Sequence, residues 1–299
     1  MTTNTTTNTT TNKAGKSGDV FRDKVAVITG AGSGIGRALA VRLAELGARL
    51  ALSDVDLKGV EETAARCRAR GAGDITVARL DVTERGSVVS YAEDVRTYFG
   101  AVHQIYNNAG IAYYGEVERE SFKDMERVLD VNFWGTVNMT KAFLPDVIAS
   151  GDGHVINVSS LFGLVTYPGQ SAYNASKFAV RGFTECLRQE MLLARHPVRV
   201  TCVHPGGIKT AVARNAGAAQ GLDAAAIARA FDKRLALHSP EMAAETIVRG
   251  VRARRARVLI GAEAKALDLL GRVSPTGSQR LGALLSRLFR IAPRPGTRT

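Results

Sequence analysis

Cysteine is scarce in this chain of 299 residues, with Cys67, Cys186 and Cys202 the only three. An odd number at wide spacing excludes a disulfide framework, so all three read as reduced and buried, which suits a cytoplasmic protein. Long apolar runs are missing as well. None approaches the roughly 18 residues that span a bilayer. The N-terminus, MTTNTTTNTTTNKAGKSGD, lacks the apolar stretch of a secretory signal. Its Asn-x-Thr triplets would accept glycans only in a secreted protein, and such a Thr/Asn tract cannot pack a core. Residues 1–20 are expected to be disordered. Acidic residues are short at one end only: from Arg249 onward 12 basic residues face two acidic ones, which leaves 28 against 26 elsewhere. A near-neutral body excludes nucleic-acid binding by charge, and any anionic partner belongs to the C-terminal tail.

What remains is a body rich enough in apolar residues, 45% of the chain, to bury one core of about 250 residues. KVAVIT, ARLALS, ITVARL, HQIYNN, HVINVS, VRVTCVH and RVLIG read as seven strands with helical stretches between them. Strands without clean polar alternation, each followed by a helix, imply a parallel sheet covered on both faces. The expected fold is α/β, a doubly wound Rossmann-type sheet of seven parallel strands, with its ligand crevice at the strands' carboxyl ends.

The first strand runs into TGAGSGIGRALA, residues 29–40. The glycines do not fit G-x-G-x-x-G, because Ile35 and Arg37 stand where glycine or alanine is required. They fit Gly30, Gly34 and Gly36, with Ser33 and Ile35 between them. Glycines let backbone approach a pyrophosphate, and a helix beginning near Gly34 offers free N–H groups and a positive dipole end. A glycine turn alone also makes an ordinary strand-to-helix connection. Asp54 strengthens the nucleotide reading, since it ends the second strand where a carboxylate accepts hydrogen bonds from an adenosine ribose. The plainer alternative has Asp54 capping the helix that starts near Leu57.

Tyr173 and Lys177 stand four positions apart in SAYNASKFAVRGFTECLRQEMLLAR and share one helix face. A phenol of ordinary pKa about 10 is poorly matched to neutral proton transfer. An ammonium beside it stabilises phenolate, and such a pair moves a proton to or from an alcohol oxygen while hydride moves at carbon. Most Tyr-x3-Lys pairs are exposed helix residues; the serine pair at the preceding strand end changes that balance here.

TGAGSGIG, Asp81-Val82, NNAG (107–110), Asn132, Ser159-Ser160, YNASK (173–177) and PGGIKT (205–210) occur in the order and spacing of one family. Over roughly residues 22–261 the chain resembles the classical short-chain dehydrogenase/reductases, whose glycine spacing is the variant seen here. The resemblance implies one Rossmann-type catalytic domain over 21–262 with a substrate lid at about 207–238. It implies a catalytic set of Asn132, Ser160, Tyr173 and Lys177. Ser160, 13 residues before Tyr173, would orient the substrate carbonyl and stabilise developing alkoxide. Asn132, in the helical segment MERVLDVNFWGTV, would anchor a water between backbone and lysine, and Lys177 would also bind the nicotinamide ribose. Asp81 and Val82 would flank the adenine and Asn108 would close the fourth strand beside the cofactor. Pro205 and Gly206 form the next turn, with Ile208 and Thr210 at the nicotinamide carboxamide. A homo-oligomer, dimer or tetramer, is also implied.

The cofactor form follows from charge. A 2′-phosphate needs a cation, but Val55 follows Asp54 and Ser33 stands in the loop, so NAD is expected, with NADP as the second option through Arg37. His154 and His204 have no partners at metal-ligand spacing, so no metal is expected. The lid carries Leu222, Ile227 and Phe231, and LFGLVTYPGQ after Ser160 is largely apolar. Both features suggest a hydrophobic secondary alcohol or ketone, although the same residues would serve to dock the lid. A dinucleotide-binding regulator without turnover is the alternative in another class.

Members of the family commonly end soon after the last strand, and this chain continues through residues 263–299. In SQRLGALLSRLFRIAP, Leu281, Leu284, Leu285, Leu288 and Phe289 form an apolar stripe flanked by Arg280, Arg287 and Arg290. A basic amphipathic helix can cover the active-site mouth, pack on a partner subunit, or lie at a membrane surface, where it would suit a reductase of lipid-like carbonyls. Packing on protein is the expected arrangement.

Overall fold

In the computed structural model, residues 19–289 are described. Most of the Thr/Asn tract, and Arg290 at the other end, therefore lie outside the described residues. Nine strands run β1 Val25–Thr29, β2 Arg49–Asp54, β3 Ile75–Arg79, β4 Gln104–Asn107, β5 Tyr113–Tyr114, β6 Gly153–Val158, β7 Val198–Pro205, β8 Gly217–Ala218 and β9 Arg257–Ile260. The helices are α1 Gly34–Glu45, α2 Leu57–Arg68, α3 Arg85–Phe99, α4 Phe122–Leu129, α5 Gly135–Ala149, α6 Ser171–Leu193, α7 Ala211–Arg214, α8 Ala224–Arg234, α9 Pro240–Arg252, α10 Ala262–Val273 and α11 Pro275–Phe289.

Seven strands form one parallel sheet in the order β3-β2-β1-β4-β6-β7-β9. All seven are the stretches expected from the sequence. Because side chains alternate across a strand, each strand feeds two cores. Ala26 and Ile28 of β1 point into a layer with Leu39 and Leu43 of α1, Val60 of α2 and Ile247 of α9. Val25 and Val27 point the other way, to Val95 of α3, Phe143 of α5 and Leu187 of α6. Burial on both faces is why these strands read as apolar runs rather than as alternating ones. Strand order reverses between β1 and β4, and that switch point opens the crevice at the strands' carboxyl ends.

Three features differ from the sequence reading. β5 and β8 pair with each other in a small second sheet; two-residue strands are too short to show a period. The segment around Asn132 is not one helix. A π-helical turn, Asp130–Trp134, separates α4 from α5, and such turns insert a residue that re-aims the side chains they carry. Cys67 and Cys202 are buried as expected, but Cys186 is exposed on α6.

The segment expected to form a lid, about 207–238, holds α7, β8 and α8 between β7 and α9. Leu222 and Ile227 pack with Tyr114 and Tyr173, while Phe231 borders the crevice. Apolar residues of this segment thus both pack on the body of the fold and border the cleft. Among the described residues no helix is long and apolar enough to cross a membrane.

Candidate active site

A cleft of about 870 Å³ opens at the carboxyl ends of the strands, within the size range of small-molecule sites. Every sequence-predicted site residue borders it except Gly36 and Asn132, which stand just behind. Gly30 takes a left-handed backbone, φ 64°, and a Cβ there would lie 2.9 Å from the Ala109 Cα. At Gly36 a Cβ would meet the Gly30 carbonyl oxygen at 2.1 Å, so only glycine lets α1 start this close to the loop. The N-cap Ser33 makes no side-chain cap and no acidic residue sits in the first turn of α1. The N–H groups at that helix end therefore face the cleft unclaimed by a capping side chain, as an anion site requires.

Asn108 ties the loop to β4. Its Nδ2 donates to the Thr29 and Gly30 carbonyls at 3.0 and 3.1 Å. Asp54 ends β2, and its carboxylate accepts from Gly32 N–H at 2.8 Å and Asp56 N–H at 3.0 Å. The cap of α2 is Asp56, which accepts from Gly59 N–H, so the capping alternative for Asp54 is set aside. A carboxylate offers about four acceptor directions, and two N–H groups leave room for ribose hydroxyls. Arg37 is committed elsewhere: it donates to the Gly32 carbonyl, to the Gly59 carbonyl at 3.2 Å and to Thr63 Oγ1 at 3.0 Å. Arg79, unnoticed in the sequence, stands in register with Asp54 and donates to the Val55 carbonyl at 3.3 Å.

Asp81 Oδ1 accepts from Thr83 N–H at 3.0 Å, and the Val82 carbonyl accepts from Asn138 Nδ2 at 3.0 Å, which fixes this turn along the cleft wall. Pro205 closes β7 and Gly206 N–H donates to the Ile260 carbonyl at 2.9 Å. Ile208 bridges His238, just ahead of α9. Thr210 starts α7 and touches the glycine loop at Gly34.

Tyr173 and Lys177 rise from the first turns of α6. Lys177 is buried, donates from Nζ to the Val158 carbonyl at 3.1 Å, and lies 5.7 Å from the centre of the Tyr173 ring. Burial lowers its pKa to about 8. Burial also raises the Tyr173 phenol, and the Ser160 hydroxyl beside it pulls the other way. Desolvation is the larger of these two effects on the phenol. Ser159 and Ser160 are told apart by their partners. Ser159 Oγ donates to the Lys177 carbonyl at 2.7 Å, which spends it on holding α6. Ser160 Oγ accepts from Phe162 N–H at 3.1 Å and keeps its own proton for another acceptor.

Asn132 is fully buried. Its Oδ1 accepts from Ile111 N–H at 2.8 Å, and its Nδ2 donates to the Ile111 carbonyl at 3.0 Å and to Ser176 Oγ at 2.9 Å. Ser176 in turn donates to the Tyr173 carbonyl at 2.8 Å, so the asparagine braces the turn of α6 that carries the tyrosine. Ser176 was missed, although it lies inside the YNASK stretch. His204 Nδ1 lies 3.0 Å from the Ser160 carbonyl and His154 Nε2 2.7 Å from Thr201 Oγ1. Both rings are held neutral by burial, with pKa values lowered to about 4 and about 3. The sequence gave no signal for Glu263 and Leu267, which border the cleft from α10, whereas Leu285 of the apolar stripe borders it from α11.

The family model for short chain dehydrogenases matches residues 24–221. The chain is 65% identical over 263 residues to a putative oxidoreductase, SadH, of Mycobacterium tuberculosis, covering 88% of this chain and 95% of that one. Among solved structures, it resembles a short chain dehydrogenase/reductase from Burkholderia phymatum in complex with NAD. The TM-score is 0.78 at 28% identity, over 93% of this chain and 99% of that one. A short chain dehydrogenase from Mycobacterium paratuberculosis bound to NAD gives 0.69 at 27% identity, over 80% and 97%.

Proposed function

Because this chain belongs to the short-chain dehydrogenase family, we propose that it moves hydride between NAD and a hydrophobic secondary alcohol or ketone. One observation carries this reading. Tyr173, Lys177 and Ser160 meet on the same cleft that the glycine loop and Asp54 border. The bare helix end of α1 and the close approach at Gly36 fit a pyrophosphate, and the Asp54 carboxylate fits an unphosphorylated ribose. The NAD-bound relatives support the same choice. NAD supplies the hydride acceptor or donor at carbon. The residues of this chain handle the oxygen. Ser160 donates a hydrogen bond to it, and Tyr173 gives up or takes the proton. Lys177 lies under the tyrosine ring and is placed to hold the nicotinamide ribose. Asn132 acts through Ser176 and the backbone of α6, as a positioning residue.

Apolar residues from the lid and from the loop after Ser160 support an apolar substrate. Following nicotinamide absorbance across secondary alcohols and ketones tests the reading. Turnover of apolar members with NAD is expected, and binding of NADH without turnover of any would favour the regulator instead. Asp54→Ala should lower NADH affinity and raise NADPH affinity, since it removes a ribose acceptor and a charge that repels a 2′-phosphate. Wild-type protein that binds NADPH more tightly than NADH would overturn the cofactor assignment.

A further inference from the structure

The segment after β9 lies apart from the dinucleotide end of the site, yet it borders the cleft. On α10, Ala264, Leu267 and Gly271 stand at i, i+3 and i+7 and share one face. Ala264 is fully buried, and Leu267 packs with it against Leu161, Phe162 and Val165. A Cβ at Gly271 would lie 3.0 Å from Val165 Cγ1. On α11, Gly282, Leu285 and Ser286 share a face in the same way. A Cβ at Gly282 would lie 3.3 Å from the Thr166 carbonyl oxygen, and Ser286 is buried on the same face. Two glycines thus let both helices ride close on the loop that follows Ser160. In that loop Tyr167 stacks on Phe162 at 5.5 Å, and Phe162 meets Tyr173 edge-on at 6.4 Å.

We infer that α10 and α11 build the outer wall of the substrate pocket, and that Leu267 and Leu285 are specificity-determining residues for an elongated apolar chain on the alcohol or ketone. The inference rests on the dehydrogenase reading above. Ser160 and Tyr173 supply the polar end of the pocket, and Leu267 and Leu285 face the same space from the extension. The carboxylate on this wall is already engaged: both oxygens of Glu263 lie 3.0 Å from His238 Nε2, and Oε1 accepts from Gly207 N–H at 3.3 Å. That contact also pins both ends of the lid to α10. A small polar substrate would leave the leucines facing water. Each buried methylene of a long one is worth about fourfold in affinity.

Two variants and a homologous series from 2-butanol to 2-dodecanol test the wall. For wild type, kcat/KM with NAD should climb along the series. In Leu285→Phe, the ratio of kcat/KM for 2-dodecanol over 2-butanol should fall at least about tenfold. In Leu285→Ala, the preference should move toward longer or branched chains, and NADH affinity reports that the fold is intact in each. The same chain-length profile in all three proteins would overturn the wall. Calorimetric titration of undecanamide, whose carbonyl cannot accept hydride, into the NADH complex separates the two readings. Binding that weakens about tenfold in Leu285→Phe, with no alcohol oxidised by wild type, would keep the wall and sink the dehydrogenase reading. Equal affinity in wild type and Leu285→Phe, or no binding to either, would overturn the wall.

Discussion

At the scale of single residues, the proposed chemistry depends on one hydroxyl and what surrounds it. Burial raises the Tyr173 phenol and lowers the Lys177 ammonium to about 8, because it disfavours the charged form of each. Tyr173→Phe removes the proton donor and little else. Turnover on the best substrate should drop about a hundred- to ten-thousandfold, with NADH affinity held within about twofold. Near wild-type turnover in that variant would remove Tyr173 from the mechanism. The Tyr173–Lys177 pair was legible in the chain because four positions on a helix bring two side chains together. The bracing of Asn132 by Ile111 and Ser176 was not, because those partners lie 21 and 44 positions away.

At the scale of elements, the junction of β1, the glycine loop and α1 is set by clearance. A methyl at Gly36 would stand 2.1 Å from the Gly30 carbonyl oxygen, which is backbone and cannot swing away. Gly36→Ala should therefore displace the loop and weaken NADH binding at least about tenfold through lost backbone contacts to the pyrophosphate. A Kd equal to wild type by fluorescence titration would show that the loop has slack. The C-terminal helices teach the complementary lesson. The apolar stripe from Leu281 onward marks α11 as amphipathic, but Leu284 of that stripe is half exposed. The face turned to the loop carries Gly282, Leu285 and Ser286. Closeness there is bought by small residues, which a count of hydrophobic positions passes over.

At the scale of the whole molecule, two neutral histidines are sealed within the sheet. The ordinary histidine pKa is 6.5, and burial takes His204 to about 4 and His154 to about 3. Between those values the unfolded chain binds protons that the folded one does not, so stability falls as pH drops below about 6.5. Each ring should contribute a slope of at most about 1.4 kcal/mol per pH unit across its window. Urea unfolding at several pH values between 7 and 4, on roughly that scale, should show the loss, and His154→Gln should reduce the slope. A slope unchanged in the variant would mean that this ring is hydrated or charged in the fold. By itself, the sequence determined the seven-stranded sheet, the cleft at its switch point, and the glycine loop, Asp54, Ser160, Tyr173 and Lys177 that border it. Those rest on period, spacing and local turn chemistry, which are written within short stretches. Tertiary structure alone decided that the Ser159 hydroxyl is held by the Lys177 carbonyl, that burial outweighs the Ser160 contact in raising the Tyr173 phenol, and that Glu263 and Leu267 of α10 border the cleft. Each of these depends on distance through space between segments far apart in the chain, and hydrogen bonding, burial and close packing act on that distance alone.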